Sequence, residues 1–259
     1  MKKTAVFLSS LLGLAVVSHG QTDFTDDFNR QQDVAPTTNG TDIGPDWVIG
    51  DQTGGSNSPE WELIGSGTND LDDIRVNQNT TNMVADSVMW NTTVSLAEGD
   101  FTVSSTTSQV TGARRSGISF FVQDADSFLA FRARSNDSDW QVVEVDNGSN
   151  TTVANGSLSS GTFDYSNSDY TLTVASSAAD TFDLSIVEEA TGNTVVDTSF
   201  TDSTLAFDSG FAGLYYQFET GQVRWDDISV TSPIPEPSSV ALFLGGAGLF
   251  AVLLRRRRR

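Results

Sequence analysis

Cysteine is absent, histidine occurs once, at His19, and lysine stops at Lys3. Between Gln21 and Pro233 the only basic residues are seven arginines, at 30, 75, 114, 115, 132, 134 and 224. All of the 34 acids except Glu236 fall in that same stretch, so it sets 33 acids against seven bases, a net charge of −26. Without Cys, His or Lys this region can form no disulfide, no thiolate or imidazole metal site, no Ser-His-Asp or Cys-His nucleophile, no Schiff base and no P-loop. Its field repels phosphate backbones, so nucleic acid is not an expected partner.

The charges that are present mark the two ends. Met1-Lys2-Lys3, the apolar run from Ala5 to Val17 and then Ser18-His19-Gly20 form a secretory signal peptide over 1–20, with Gln21 as the expected mature N-terminus. At the other end Pro233-Ile234-Pro235-Glu236-Pro237 leads into uncharged sequence from Ser238 to Leu254, followed by five arginines. That run, as a transmembrane helix over 238–254, reaches about 25 Å, just short of a hydrocarbon core of about 30 Å. Snorkelling and local thinning make up the difference. The arginines hold the C-terminus in the cytoplasm by the positive-inside rule, so the acidic region lies on the far side, as the signal peptide also requires. Three prolines make the connection stiff and extended.

Pro235, Glu236 and Pro237, the helix with Gly245-Gly246-Ala247-Gly248, and Arg255, Arg256, Arg257, Arg258 and Arg259 resemble the PEP-CTERM sorting signal of Gram-negative bacteria. The resemblance covers about the last 25 residues and implies processing by an exosortase, a membrane-embedded cysteine transpeptidase. The helix would be removed and the protein delivered to the cell surface or the exopolysaccharide matrix. The alternative is a permanent single-span anchor.

Between the labels, apolar and polar residues alternate with a period of two in short bursts separated by Gly, Asn, Asp and Ser. The bursts fall at 47–49, 61–64, 87–90, 101–105, 117–123, 128–134, 140–146, 170–175, 182–187, 194–200, 211–218 and 223–230, and no helical stripe of useful length interrupts them. The expected fold is all-β: one two-sheet jelly-roll sandwich over 21–231, with the sorting region at 232–259. A domain of this size buries enough core without disulfides.

The alternation also assigns faces. Ile118, Phe120, Val122, Leu129, Phe131 and Ala133 are expected in the core, with Val143, Val145, Ala212, Leu214, Tyr216 and Phe218. Phe121, Gln123, Phe128, Arg132, Arg134, Trp140, Glu144, Tyr215 and Gln217 then project the other way. Of these, Arg132, Arg134, Trp140, Glu144, Tyr215 and Gln217 form the candidate glycan face, because aromatic rings stack on pyranose rings and Arg donates to hydroxyls. The competing reading pairs Arg132 and Arg134 with acids on a solvated face.

Val223 and Trp225 share one parity and Ile228 and Val230 the other, which a β-bulge at Asp226-Asp227 repairs. First and last strands of a sandwich are often neighbours, so Asp26 and Asp27 are expected near Asp226 and Asp227. Four acids without a base suit a structural Ca²⁺, the hard cation for an oxygen-only ligand set. Separate solvated pairs are the alternative.

Asp26-Asp27-Phe28, Gly117 to Phe121 with the strand at 128–134, and Gly210-Phe211-Ala212-Gly213-Leu214 with Trp225-Asp226-Asp227-Ile228 resemble concanavalin A-like lectin and glucanase jelly rolls, including laminin-G-like domains. The resemblance implies a jelly roll whose concave sheet often faces glycan, and no activity by itself. Hydrolysis by two carboxylates is the chemistry most compatible with this composition. Glu144 and Asp146 start such a motif, but the further Glu of the glucanase pattern is missing, with Gly148 and Ser149 following Asn147. The expectation is a non-catalytic module with no catalytic residue to name. A carboxylate-dependent glycoside hydrolase is the alternative.

Overall fold

The computed structural model describes residues 21–28, 34–37, 40–51, 60–64, 73–77, 86–111, 115–134, 139–158, 168–217 and 222–233. The expected signal peptide at 1–20, Phe218, Pro235 to Pro237 with the arginine tail, and the expected helix at 238–254 lie outside the described residues.

Among the described residues the chain forms β1 (Gln21–Asp26), β2 (Val34–Thr37), a one-turn α1 (Gly40–Ile43), β3 (Trp47–Asp51), β4 (Glu60–Ile64), β5 (Asp73–Asn77), β6 (Ser87–Ala97) and β7 (Phe101–Thr111). It continues through β8 (Arg115–Asp124), β9 (Ser127–Arg134), β10 (Asp139–Asp146), β11 (Ser149–Ser157), β12 (Tyr170–Ala178), β13 (Thr181–Glu188), β14 (Thr194–Thr201), β15 (Ser209–Gln217) and β16 (Gln222–Pro233). A nine-stranded sheet runs β14-β13-β12-β7-β16-β5-β4-β2, with β1 also on β16, and a seven-stranded sheet runs β11-β10-β9-β8-β15-β6-β3. The fold is therefore an antiparallel two-sheet sandwich of jelly-roll type, as the alternation required.

β12 and β13 show the cause most plainly. Tyr170, Leu172 and Val174, then Phe182, Leu184 and Ile186, are buried at every second position, while Thr171, Thr173 and Ser185 stay half-buried on the outer face. Their partners across the core include Ile118, Phe120, Leu129, Phe131 and Leu214 from the seven-stranded sheet. Asn147 and Gly148 both take positive φ, the backbone a two-residue hairpin turn between right-twisted strands demands, and so β10 turns directly into β11. β1, β2, β5 and β11 escape the hydrophobic pattern. β11 is an edge strand, Ser-Asn-Thr-Thr-Val-Ala-Asn-Gly-Ser, with no apolar face to betray it.

Several faces differ from expectation. Phe121 adopts φ 53° inside an irregularity between Phe120 and Asp124, so Phe120 and Phe121 both enter the main core and Val122 turns outward. On β10 the register sets Val142 opposite Phe131, which places Trp140 and Val142 in the core and sends Val143 and Val145 to the outer face. Glu144 shares the inward parity of Val142. The alternation misled here because the outer face of this sheet is itself apolar and buried: Val88, Trp90, Val122, Phe128, Ala130, Val143, Val145 and Tyr215 form a second cluster. With apolar residues on both faces, parity alone cannot say which is the core.

Ser119 shows how tightly that second face is filled. Its hydroxyl is fully buried and makes no hydrogen bond, and the rings of Phe128 and Tyr215, from the strands on either side of β8, meet with centroids 5.7 Å apart. Ser119→Ala is therefore expected to raise stability by about 1 kcal/mol, since it removes an unsatisfied buried hydroxyl and leaves no large void. Urea titration of the two proteins checks this.

Candidate functional site

The register lays the outer face of the seven-stranded sheet out in rows. Gln141, Arg132, Gly117, Tyr215 and Val88 stand abreast across β10, β9, β8, β15 and β6, and Val143, Ala130, Ser119, Gly213 and Trp90 form the next row. Beyond Arg132, towards the end of the sheet, Arg134, Arg115 and Gln217 are in register. β9 and β15 thus bring Arg132, Tyr215 and Gln217 to one face, with β8 between them, and Arg134 is placed only by its register with Arg115; Trp140 faces the core, and Glu144 shares its parity.

Arg132 and Tyr215 are nevertheless not a solvent-facing platform. Arg132 is 5% exposed and Tyr215 fully buried. Arg132 Nη1 donates to the Tyr215 hydroxyl at 2.8 Å, and the hydroxyl donates onward to Asp86 Oδ2 at 2.7 Å. Arg132 Nε and Nη2 both donate to Gln141 Oε1, at 3.3 and 2.9 Å, and the guanidinium sits 5.8 Å from the Tyr215 ring centroid. Burial, and then the neighbouring Asp86 carboxylate, push the Tyr215 phenol well above its ordinary pKa, so it stays protonated and remains a donor to Asp86.

Asn150 Nδ2, on β11, reaches the same Asp86 oxygen at 3.4 Å. Asp86 adjoins the first residue of β6, five strands away in the sheet order. A flat sheet would separate them by about 24 Å, at roughly 4.8 Å per strand. The contact requires the sheet to curl around its outer face, which is therefore concave. The polar rim of that concavity is half-buried: Arg115 Nη1 donates to Gln217 Oε1 at 3.0 Å, and Gln141 lies close by on β10.

Asp86, Gln141 and Arg115 were not singled out from the sequence as site residues. Asp86 and Tyr215 are 129 residues apart, and nothing in either segment announces the other. Trp140, from the expected face, packs edge-on against Phe131 in the core at 6.0 Å. Glu144 Oε1 accepts the Ala206 backbone N–H at 2.6 Å, and Asp146 Oδ1 accepts from Asn147 Nδ2 at 2.8 Å, so this acid pair does structural work at one end of the sandwich.

The second candidate lies on the other sheet. β1 pairs antiparallel with β16, Asp26 opposite Ile228, and the β16 register against β7 shifts between Asp226 and Ser229, with Asp227 at φ 51°. The bulge stands where the parity break placed it. Thr25, Asp26, Asp27, Asp227, Ile228 and Ser229 line a cleft of about 320 Å³. The four acids do not converge as a set, however. Asp26 turns its carboxylate to the Trp47 indole N–H, at 2.8 Å, and to the Phe28 backbone N–H, at 2.9 Å. Among the described residues no group of three or more acids is arranged to hold a metal ion.

Asp226 titrates abnormally. Burial raises its pKa to about 6, with Asp227, Asp27 and Asp169 adding repulsion and the Asp227 N–H partly offsetting it. A carboxyl with a raised folded-state pKa binds its proton more tightly in the native state, so stability is greatest below the ordinary carboxylate range and falls as pH rises through 6. Discounted for its half exposure, the loss is about 1 kcal/mol. Asp226→Asn is expected to raise the Tm at pH 7 and to flatten the Tm profile between pH 4 and 6, which calorimetry across that range reads directly.

Residues 233–259 match the family model described as the PEP-CTERM protein-sorting motif. No curated protein matches the chain. Among solved structures it is similar to the carbohydrate-binding module CBM66 from Bacillus subtilis, at 17% identity over 72% of this chain and 92% of that one, with a TM-score of 0.45. It is also similar to the exoplasmic/lumenal domain of VIP36 bound to Ca²⁺ and Man2, at 13% identity over 78% and 88% of the two chains, with a TM-score of 0.48. A third is the GH43 protein BlXynB from Bacillus licheniformis, at 13% identity over 80% of this chain but 39% of that one, with a TM-score of 0.46. The likeness in each case is one of fold.

Proposed function

We propose that the protein is exported, sorted through its C-terminal motif by an exosortase, and displayed as a non-catalytic β-sandwich at the cell surface or in the exopolysaccharide matrix. The observation that carries this reading is the sorting-motif match at 233–259, beginning at Pro233, the last residue of β16. In this proposal residues 1–20 are removed on export, 21–231 form the sandwich, and 238–254 span the inner membrane transiently with the arginine tail in the cytoplasm. The concave face of the seven-stranded sheet is the glycan-facing side, with Arg115, Gln217 and Gln141 at its accessible rim and Arg132 and Tyr215 as the buried frame beneath.

Intact mass and cell fractionation of the protein made in its host, with and without the segment after Pro233, test the sorting. The expected result is a species lacking both ends outside the inner membrane, and its loss from the surface on truncation. A full-length C-terminus retained in the inner membrane would instead establish a permanent anchor. A glycan array then tests the concave face, with Arg115→Ala and Gln217→Ala expected to lower binding at the rim. Release of reducing sugar would overturn the non-catalytic reading. Ca²⁺ enters the proposal as a diffuse counter-ion for the acidic pairs Asp26-Asp27 and Asp226-Asp227, not as an ion in a preformed site. Millimolar Ca²⁺ should raise the Tm of the protein at neutral pH and raise that of Asp226→Asn less; equal melts with Ca²⁺ and with chelator would remove it.

A further inference from the structure

The strand that leads out to the sorting motif is not at an edge. β16 pairs with β7 from Gln222 to Thr231 on one side; on the other it pairs with β5 from Val223 to Trp225 and with β1 from Ile228 to Pro233. Val223, Trp225, Ile228 and Val230 anchor it in the core. At twelve residues it is the longest strand among those described. β1 covers only its C-terminal half, so Ser229 to Thr231 is held by a ladder on both flanks and Ser232-Pro233 by β1 alone.

The direction of pull decides how such a strand yields. Antiparallel hydrogen bonds lie perpendicular to the strands. Tension along β16, applied at Pro233 and resisted at the far end of the sandwich, loads every bond of both ladders together in shear. Gln21 and Pro233, by contrast, are Cα partners at one end of an antiparallel pair. Tension between those two residues opens the β1–β16 ladder one pair at a time. The topology joins the C-terminal exit to the strand best placed to resist the first kind of load.

We propose that β16 is a load-bearing tether, and that this domain transmits force between its C-terminal attachment and whatever holds its opposite end. The cellular role rests on the sorting reading above, whereas the mechanical anisotropy follows from the sheet alone. The far end includes the turn between β13 and β14. Glu188 pairs with Tyr170, Tyr170 with Thr107 and Thr107 with Trp225, so that turn lies towards the start of β16, away from Pro233. Ala190 in the turn is exposed.

Because the chain has no cysteine of its own, handles can be placed uniquely. Single-molecule pulling on the full chain in detergent compares A190C/S238C with Q21C/S238C. The first pair should need a rupture force at least about twofold higher, since forced unfolding is governed by the barrier along the pulled direction. The second should release β1 early and at low force. Equal forces, or the reverse order, would overturn the tether. A chain that is strong along β16 yet never leaves the inner membrane would keep the tether and sink the sorting reading; a surface-sorted chain that is weak along β16 would do the opposite.

Discussion

Phe182→Ala is expected to destabilise the domain by about 3–5 kcal/mol, a large part of the 5–15 kcal/mol typical of a whole domain. Phe182 is fully buried on β13 and stacks on Phe200 of β14 at 5.0 Å with the rings 20° apart. Its other ring neighbours are Phe101 of β7 at 6.4 Å, and Phe120 and Phe121 of the opposite sheet at 5.6 and 5.9 Å. One side chain therefore holds both sheets. Truncation forfeits its transfer energy and opens a cavity whose walls are themselves rings anchored on four other strand positions, so collapse around it is poor. Phe200 is only half-buried, so Phe200→Ala should cost clearly less. Urea unfolding of the three proteins measures the difference. Equal midpoints for Phe182→Ala and the parent would mean that the aromatic cluster is not the joint between the sheets.

Tyr215→Phe should cost about 2–4 kcal/mol although it removes a single oxygen. That oxygen accepts from Arg132 and donates to Asp86, and both partners are 5% exposed. Without it, Arg132 and Asp86, both buried, each lose a hydrogen bond. Asp86→Asn in the same background should show strong coupling, because the two changes remove parts of one network. Additive effects in that double-mutant cycle would show that the three groups do not act as a unit. The aromatic body of Tyr215 stays in place in Tyr215→Phe, so the loss reports the polar network and not the packing.

The same tyrosine shows where sequence reasoning stopped. Parity put Tyr215 on the outer face beside Arg132, correctly, but the outer face was expected to be wet. Curling of the sheet buried it: the Asn150–Asp86 contact joins strands five places apart, and no local pattern encodes curvature. Trp140 and Glu144 went to the wrong side because Val142 and Val143 are both apolar, leaving the parity of β10 open until β9 set its register. Around Phe121 the alternation failed for another reason, since a positive φ puts two consecutive phenylalanines on one side. At Asp226-Asp227, by contrast, the break in alternation lay within one strand, so the bulge could be placed without knowing any neighbour.

What the sequence by itself determined is whatever depends on neighbours along the chain: the period-two bursts that make an all-β sandwich, the bulge in the last strand, and the ordered tripeptide, apolar run and arginine tail of the sorting motif. Only the tertiary structure decided which face is concave, that Asp86 closes the Arg132–Tyr215 network, that Asp26 serves Trp47 while Asp226 is left among its own kind, and that β1 clasps the strand leading to the C-terminus. Those outcomes turn on which strands lie side by side and in what register. Burial, desolvation and hydrogen bonding act between residues that meet in space, and here the meetings join residues as far apart in the chain as Gln21 and Pro233.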